Sequence, residues 1–103
     1  MNLLQRIFGT GTKVDFKQLV LNKAIILDVR TPEEFKSGHI KGAINVPLQK
    51  LAGKTAEIKK MNKPVITCCL SGGRSSVAKG QLAKAGIEVY NGGGWTSLQA
   101  RIS

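Results

Sequence analysis

The sequence predicts an α/β domain on a mostly parallel sheet, and three observations predict it. Short apolar runs alternate with helix-like stretches along the chain. One of those runs, Ala24-Ile25-Ile26-Leu27-Asp28-Val29, is apolar almost throughout, which suits a strand covered on both faces. Another, Pro64-Val65-Ile66-Thr67-Cys68, feeds a polar, glycine-bearing turn and then a helical pattern, the order of a strand-to-helix connection.

A length of 103 residues suits one domain. At that size folding buries roughly two-thirds of the surface an unfolded chain exposes, enough for a core without staples. No repeat, low-complexity tract or Pro/Gly/Ser linker divides the sequence. Residues 1–11 are read as an N-terminal arm and residues 12–103 as the domain. The arm begins Met1-Asn2-Leu3-Leu4-Gln5-Arg6-Ile7-Phe8-Gly9. A secretory signal would place positive charge first, then about 7–15 unbroken apolar residues. Here Gln5 and Arg6 interrupt the apolar positions, and the arm is short for an interfacial anchor. It is expected to pack on the domain. No stretch approaches the roughly 20 apolar residues of a membrane span, so the expected address is the cytoplasm.

Thr12-Lys13-Val14 reads as a short first strand. Asp15 is an N-cap with Gln18 in capping-box spacing, opening a helix through Leu21. After the Ala24–Val29 strand, Thr31-Pro32-Glu33-Glu34 is a strong helix start: Thr31 caps, Pro32 fits the first helical position and Glu34 sits three after the cap. Ser37-Gly38 ends that helix. Ala43-Ile44-Asn45-Val46 is a strand stopped at Pro47, and Leu48 to Lys60 reads as one or two helical pieces broken around Gly53. The strand Pro64–Cys68 leads to a helix from about Ser75 to Ala85. Val77, Ala78, Leu82 and Ala85 are expected on one side of it, with Gly86 at its end. Ile87-Glu88-Val89-Tyr90 is the last predicted strand, followed by Gly92-Gly93-Gly94, Trp95 and a short tail.

The net charge of +10 attracts anions in general. The lysines are spread, only Lys59-Lys60 being adjacent, and no nucleic-acid module appears, so no nucleic-acid partner is expected. The two cysteines, Cys68 and Cys69, are adjacent and cannot staple the fold. With His39 the sole histidine, a zinc site would lack ligands. No metal or cofactor is expected, and the thiols are left with packing or reactivity as their purpose.

Ligands of open α/β sheets gather beyond the carboxyl ends of the strands, and Cys69 lies there. It is followed by Leu70-Ser71-Gly72-Gly73-Arg74 and a helix start. Consecutive glycines let the backbone curl so that N–H groups converge as an anion-binding nest, and the helix N-terminus adds donors. Gly73 is expected to need its missing side chain for that curl. A thiol in such a cradle ionises readily and needs no histidine base. Cys68, one residue earlier, is expected to face the other way and pack in the core.

Cys69-Leu70-Ser71-Gly72-Gly73-Arg74-Ser75 resembles the active-site loop of rhodanese domains, often written Cys-x-x-Gly-x-Arg-Ser. Leu27-Asp28-Val29-Arg30-Thr31-Pro32-Glu33-Glu34-Phe35 is similar to another signature of that family, followed by Gly38-His39-Ile40-Lys41-Gly42-Ala43-Ile44-Asn45-Val46-Pro47. Gly93-Gly94-Trp95 resembles its closing pattern. The resemblance runs from about residue 12 to residue 98. It implies a five-stranded, mostly parallel sheet flanked by helices on both faces. It also implies sulfur transfer through a persulfide on Cys69. The donor would be a small anion such as thiosulfate, and the acceptor a thiophile: a thiol, cyanide or a partner protein. Arg74 and Arg30, with Leu70, Ser71, Gly72 and Gly73, would bind substrate. Asp28 and Ser75 would support the site, and His39 would be architectural. A monomer is expected.

Two other functions compete. A rhodanese-like module can serve as a sulfur carrier or binding piece for a protein partner, with little small-molecule turnover. Cysteine-dependent phosphatases and arsenate reductases use a related cradle, but the phosphatase loop has five residues between cysteine and arginine. Here four intervene, Leu70 to Gly73, a ring that suits sulfur better than a tetrahedral phosphate. A phosphatase would also need an acid for the leaving alcohol. The candidates are Glu33, Glu34 and Glu57, none tied to the loop by sequence.

Overall fold

A computed structural model describes residues 13–103. Strands β1 (Ile25–Asp28), β2 (Ile44–Asn45), β3 (Val65–Cys69) and β4 (Val89–Gly94) form one sheet in the order β2-β1-β3-β4, every pair parallel. The central strands β1 and β3 are buried along their whole length, as their continuous apolar runs require. Side chains alternate between the faces. Ile25, Leu27, Val65 and Cys69 join one core cluster with Leu51, Ile58, Ala78 and Leu82. These last four come from a 3-10 segment (Leu48–Lys54), helix α3 (Thr55–Lys60) and helix α4 (Gly73–Lys84). Ile26, Ile66, Cys68 and Tyr90 join the opposite cluster with Phe16 of helix α1 (Phe16–Leu21) and Leu98 of helix α5 (Trp95–Ile102). The result is a sheet with helices on both faces.

Local signals place the helix starts. Asp15 accepts the Gln18 N–H at 3.0 Å to cap α1. Helix α2 (Pro32–Lys36) opens on a complete capping box: the Thr31 hydroxyl accepts the Glu34 N–H, and the Glu34 carboxylate accepts the Thr31 N–H. No helix among the described residues is long and apolar enough to cross a membrane.

The architecture corrects the sequence reading in several places. Among the described residues the sheet has four strands, not five. Thr12 of the expected first strand, like the expected N-terminal arm, lies outside the described residues. Lys13 and Val14 are not strand; Val14 packs its side chain on the core directly before the Asp15 cap. Val77 is 52% exposed, so it lies off the face that Ala78 and Leu82 bury. The last strand begins at Val89, later than Ile87, and continues through the triple glycine to Gly94. The supposed tail is α5, whose Trp95, Leu98 and Ile102 recur at helical spacing against the sheet.

Candidate active site

Strand β3 delivers Cys69 to the carboxyl edge of the sheet, and α4 starts four residues later at Gly73. The intervening turn closes through Gly72, whose φ of +107° lies in the region open to glycine. That conformation aims the Gly72 N–H at Cys69 Sγ, 3.0 Å away. The Ser75 N–H donates to the same sulfur at 3.4 Å, and Ser75 Oγ lies 3.4 Å from it. The strained glycine is therefore Gly72. Gly73, expected from sequence to need its missing side chain, has no positive φ, and a Cβ there would meet nothing within 4 Å.

Cys69 is 1% exposed, lying at the floor of the turn. Burial pushes its thiol up, but hydrogen bonding with the Ser75 hydroxyl and from the backbone N–H groups of Ser75, Gly72 and Ser71 outweighs that and holds it below the ordinary thiol value. Cys68 has the reverse balance. It sits in the opposite core cluster, and burial together with the nearby Asp28 charge raises its thiol to about 12. Adjacent cysteines thus occupy opposite faces of one strand, one prepared to ionise and one kept neutral.

Ser75 is buried and fixed from several sides. Its hydroxyl donates to Asn91 Oδ1 at 2.7 Å, with the Gly72 carbonyl at 3.1 Å. Asn91 Oδ1 also accepts the Gly93 N–H at 2.9 Å, and Thr67 Oγ1 donates to the Ser75 carbonyl at 2.9 Å. Within the triple glycine, Gly94 is what lets β4 lie under the loop. A Cβ on Gly94 would stand 2.8 Å from the Leu70 carbonyl oxygen. One on Gly92 would stand within 2.9 Å of Leu98, Ile66 and the Thr67 carbonyl. Sequence reasoning missed Asn91 and Thr67; the one available signal was a polar side chain set directly before a glycine run.

The flanking arginines differ from each other. Arg74, in the first turn of α4, forks onto Glu34: Nη1 to Oε1 at 2.7 Å and Nη2 to Oε2 at 3.0 Å. Glu34, unconnected to the loop in the sequence reading, is therefore tied to it directly. Hydrogen bonds from Arg74 and from the Thr31 backbone hold its carboxyl down to about 2. Arg30, expected to bind substrate, is instead 2% exposed and turned inward. Its Nε and Nη2 donate to Asp28, Nη1 to the Glu34 carbonyl, and Nη2 also to the Gly38 carbonyl; its guanidinium stacks 4.8 Å from the Trp95 ring centre. Asp28 also accepts the Arg30 N–H. Leu70 and Ser71 are exposed at the tip of the turn, Leu70 by 61%. His39 stacks on Phe35, and its Nδ1 lies 2.7 Å from the Phe35 carbonyl oxygen. Among the described residues no group of His, Cys, Asp and Glu is placed to hold a metal ion.

The sequence profile of the rhodanese-like domain matches residues 12–101. An uncharacterized Bacillus subtilis (strain 168) protein, YqhL, is 43% identical over 88 residues, which span 84% of this chain and 68% of that protein. The thiosulfate sulfurtransferase PspE of Escherichia coli (strain K12) is 37% identical over 70 residues, spanning 66% of this chain and 67% of that one. A solved structure described as a rhodanese with anions from E. coli superposes with a TM-score of 0.65 at 33% identity, over 72% of this chain and 89% of that one.

Proposed function

The chain belongs to the rhodanese-like domain family, and from that premise we propose that it is a sulfurtransferase that carries sulfane sulfur as a persulfide on Cys69. The observation that carries the reading is the pair of backbone donors on one buried sulfur, the N–H groups of Gly72 and Ser75, with the Ser75 hydroxyl in hydrogen-bond contact beside them. These donors favour the thiolate, which is the nucleophilic form. Cys69 thiolate attacks the outer sulfur of a donor such as thiosulfate; the new S–S bond forms as the donor's S–S bond breaks and sulfite departs with the electron pair. The same donors hold the anionic persulfide until an acceptor takes its outer sulfur, returning Cys69 to the thiolate.

A phosphatase would need a proton donor for its leaving alcohol. The acid tied to the loop, Glu34, is held in its ionised form by Arg74 and cannot fill that part. A second reading, a sulfur carrier for a protein partner, is favoured by the exposure of Leu70 beside the cysteine and by the basic charge of the chain.

Intact-mass measurement after incubation with thiosulfate tests the proposal. We expect a gain of one sulfur atom on Cys69, removed by cyanide with release of thiocyanate. Cys69→Ser abolishes the gain and Cys68→Ser largely keeps it. Equal loss from both substitutions would overturn the assignment. Transfer to a protein acceptor that weakens steeply with salt, while transfer to cyanide does not, would select the carrier reading.

A further inference from the structure

We infer that Glu34, by closing the fork of Arg74, sets the donor preference of this site toward singly charged persulfides of thiols and against doubly charged donors such as thiosulfate. The inference rests on the reading of Cys69 as the sulfur-carrying group.

The charges at the carboxyl edge of the sheet carry the argument. Two arginines lie there, and each is matched by a carboxylate: Arg30 by Asp28 at 2.7 Å, and Arg74 by Glu34 at 2.7 Å. Glu34 takes the Nη1–Nη2 fork of Arg74 and offsets its positive charge toward an incoming oxyanion. The Glu34 partnership is built in. Its Oε1 also accepts the Thr31 N–H at 3.0 Å and the Thr31 hydroxyl at 3.2 Å, so the capping box of α2 holds the carboxylate in place for Arg74. The carboxyl ionises far below neutral pH, so the pair stays closed at working pH.

What remains positive at the sulfur is the set of loop N–H groups and the N-terminal end of α4. A helix end contributes roughly half a unit charge. That suits one negative charge, the thiolate or its persulfide. Thiosulfate brings two charges and expels sulfite, also a dianion. A thiol persulfide brings one: Cys69 thiolate attacks its outer sulfur, the donor's S–S bond breaks, and a singly charged thiolate leaves. The overall charge of +10 draws both donors toward the surface. It does not replace a contact at the sulfur, because fields beyond about 8 Å are screened at physiological salt.

The test compares thiosulfate with cysteine persulfide as donors for the full chain and for Glu34→Gln. Glutamine serves at this capping-box position, so the variant keeps the start of α2 while releasing Arg74. The expected result is a higher kcat/KM for the persulfide in the unsubstituted chain. In Glu34→Gln the thiosulfate KM falls about tenfold, the scale of one charge-assisted hydrogen bond, with kcat nearly unchanged and less than about twofold change for the persulfide. Adding Arg74→Gln removes the gain. An unchanged thiosulfate KM in a Glu34→Gln protein of unaltered thermal midpoint overturns the inference, as does an equal shift for both donors. Should Glu34→Gln alone fold poorly, the doubly neutral Glu34→Gln/Arg74→Gln protein supplies the comparison: a thiosulfate KM lower than that of the unsubstituted chain would then overturn the inference, because no freed arginine is present to cause it. Absence of any sulfur gain on Cys69 from either donor sinks the underlying sulfurtransferase reading; sulfur gain with no donor-selective shift sinks only the role of Glu34.

Discussion

At the scale of residues, the chain separates two chemically identical thiols by the alternation of a strand. Cys68 and Cys69 are neighbours, yet successive side chains of β3 point to opposite cores. Burial governs the first, whereas for the second the hydrogen bonds outweigh burial. The Ser75 hydroxyl is the one side-chain partner in that balance. When the sulfur ionises and no longer donates, the Ser75 hydroxyl turns its proton from Asn91 to it; replacing Ser75 by alanine removes that hydrogen bond, worth about 1.5–3 kcal/mol, or about one to two pH units. The sign follows from which form is favoured: losing a donor to the thiolate disfavours ionisation, so the midpoint rises. Iodoacetamide alkylation of the native protein, followed against pH with mass readout, is expected to report Cys69 alone. Its midpoint should lie below the ordinary thiol value and move upward in Ser75→Ala. Alkylation of Cys68 in the native protein at neutral pH would contradict the raised ionisation of its thiol.

At the scale of elements, helix starts were legible and the glycine strand was not. Caps are local chemistry: Asp15 before α1 and the Thr31/Glu34 box before α2 depend on neighbours within three residues, and both stand where the sequence put them. Gly92-Gly93-Gly94 carries no such local meaning. A glycine run reads as a turn, because glycine weakens an isolated strand. Here each glycine has its own reason to stay in β4: a Cβ on Gly92 would meet Leu98, Ile66 and the Thr67 carbonyl, Gly93 has a φ of +77°, and a Cβ on Gly94 would meet the Leu70 carbonyl of the Cys69 loop. Gly94→Ala is expected to cost about 1–3 kcal/mol, as overpacking does, and to slow persulfide formation by pressing on the Leu70 carbonyl. Gly53→Ala, at a position where a Cβ meets nothing within 4 Å, is the control expected to leave both unchanged. Thermal melting and the single-turnover rate measure the two effects.

At the scale of the whole molecule, the buried Asp28–Arg30 pair joins the end of β1, the carbonyls on either side of the α2 turn and the Trp95 ring of α5. Removing one partner of a buried pair leaves the other uncompensated, so Arg30→Ala is expected to destabilise the fold by about 3–5 kcal/mol. Arg30→Lys should not restore it, since a compact ammonium has neither the fork that holds Asp28 through Nε and Nη2 nor the span that reaches both carbonyls. A denaturant midpoint close to that of the unsubstituted chain would refute this structural role. The sequence by itself determined the α/β class and the position of Cys69 at a strand end before a glycine turn and a helix, because periodicity, caps and glycine turns act over a few residues. Only the tertiary structure decided what the arginines do. Arg30 turns inward to Asp28 and Arg74 meets Glu34 across a separation of forty residues. Asp28 and Arg30 are two residues apart, but the carbonyls and the Trp95 ring that hold Arg30 inward, and the carboxylate that meets Arg74, depend on how the strands and helices are brought side by side.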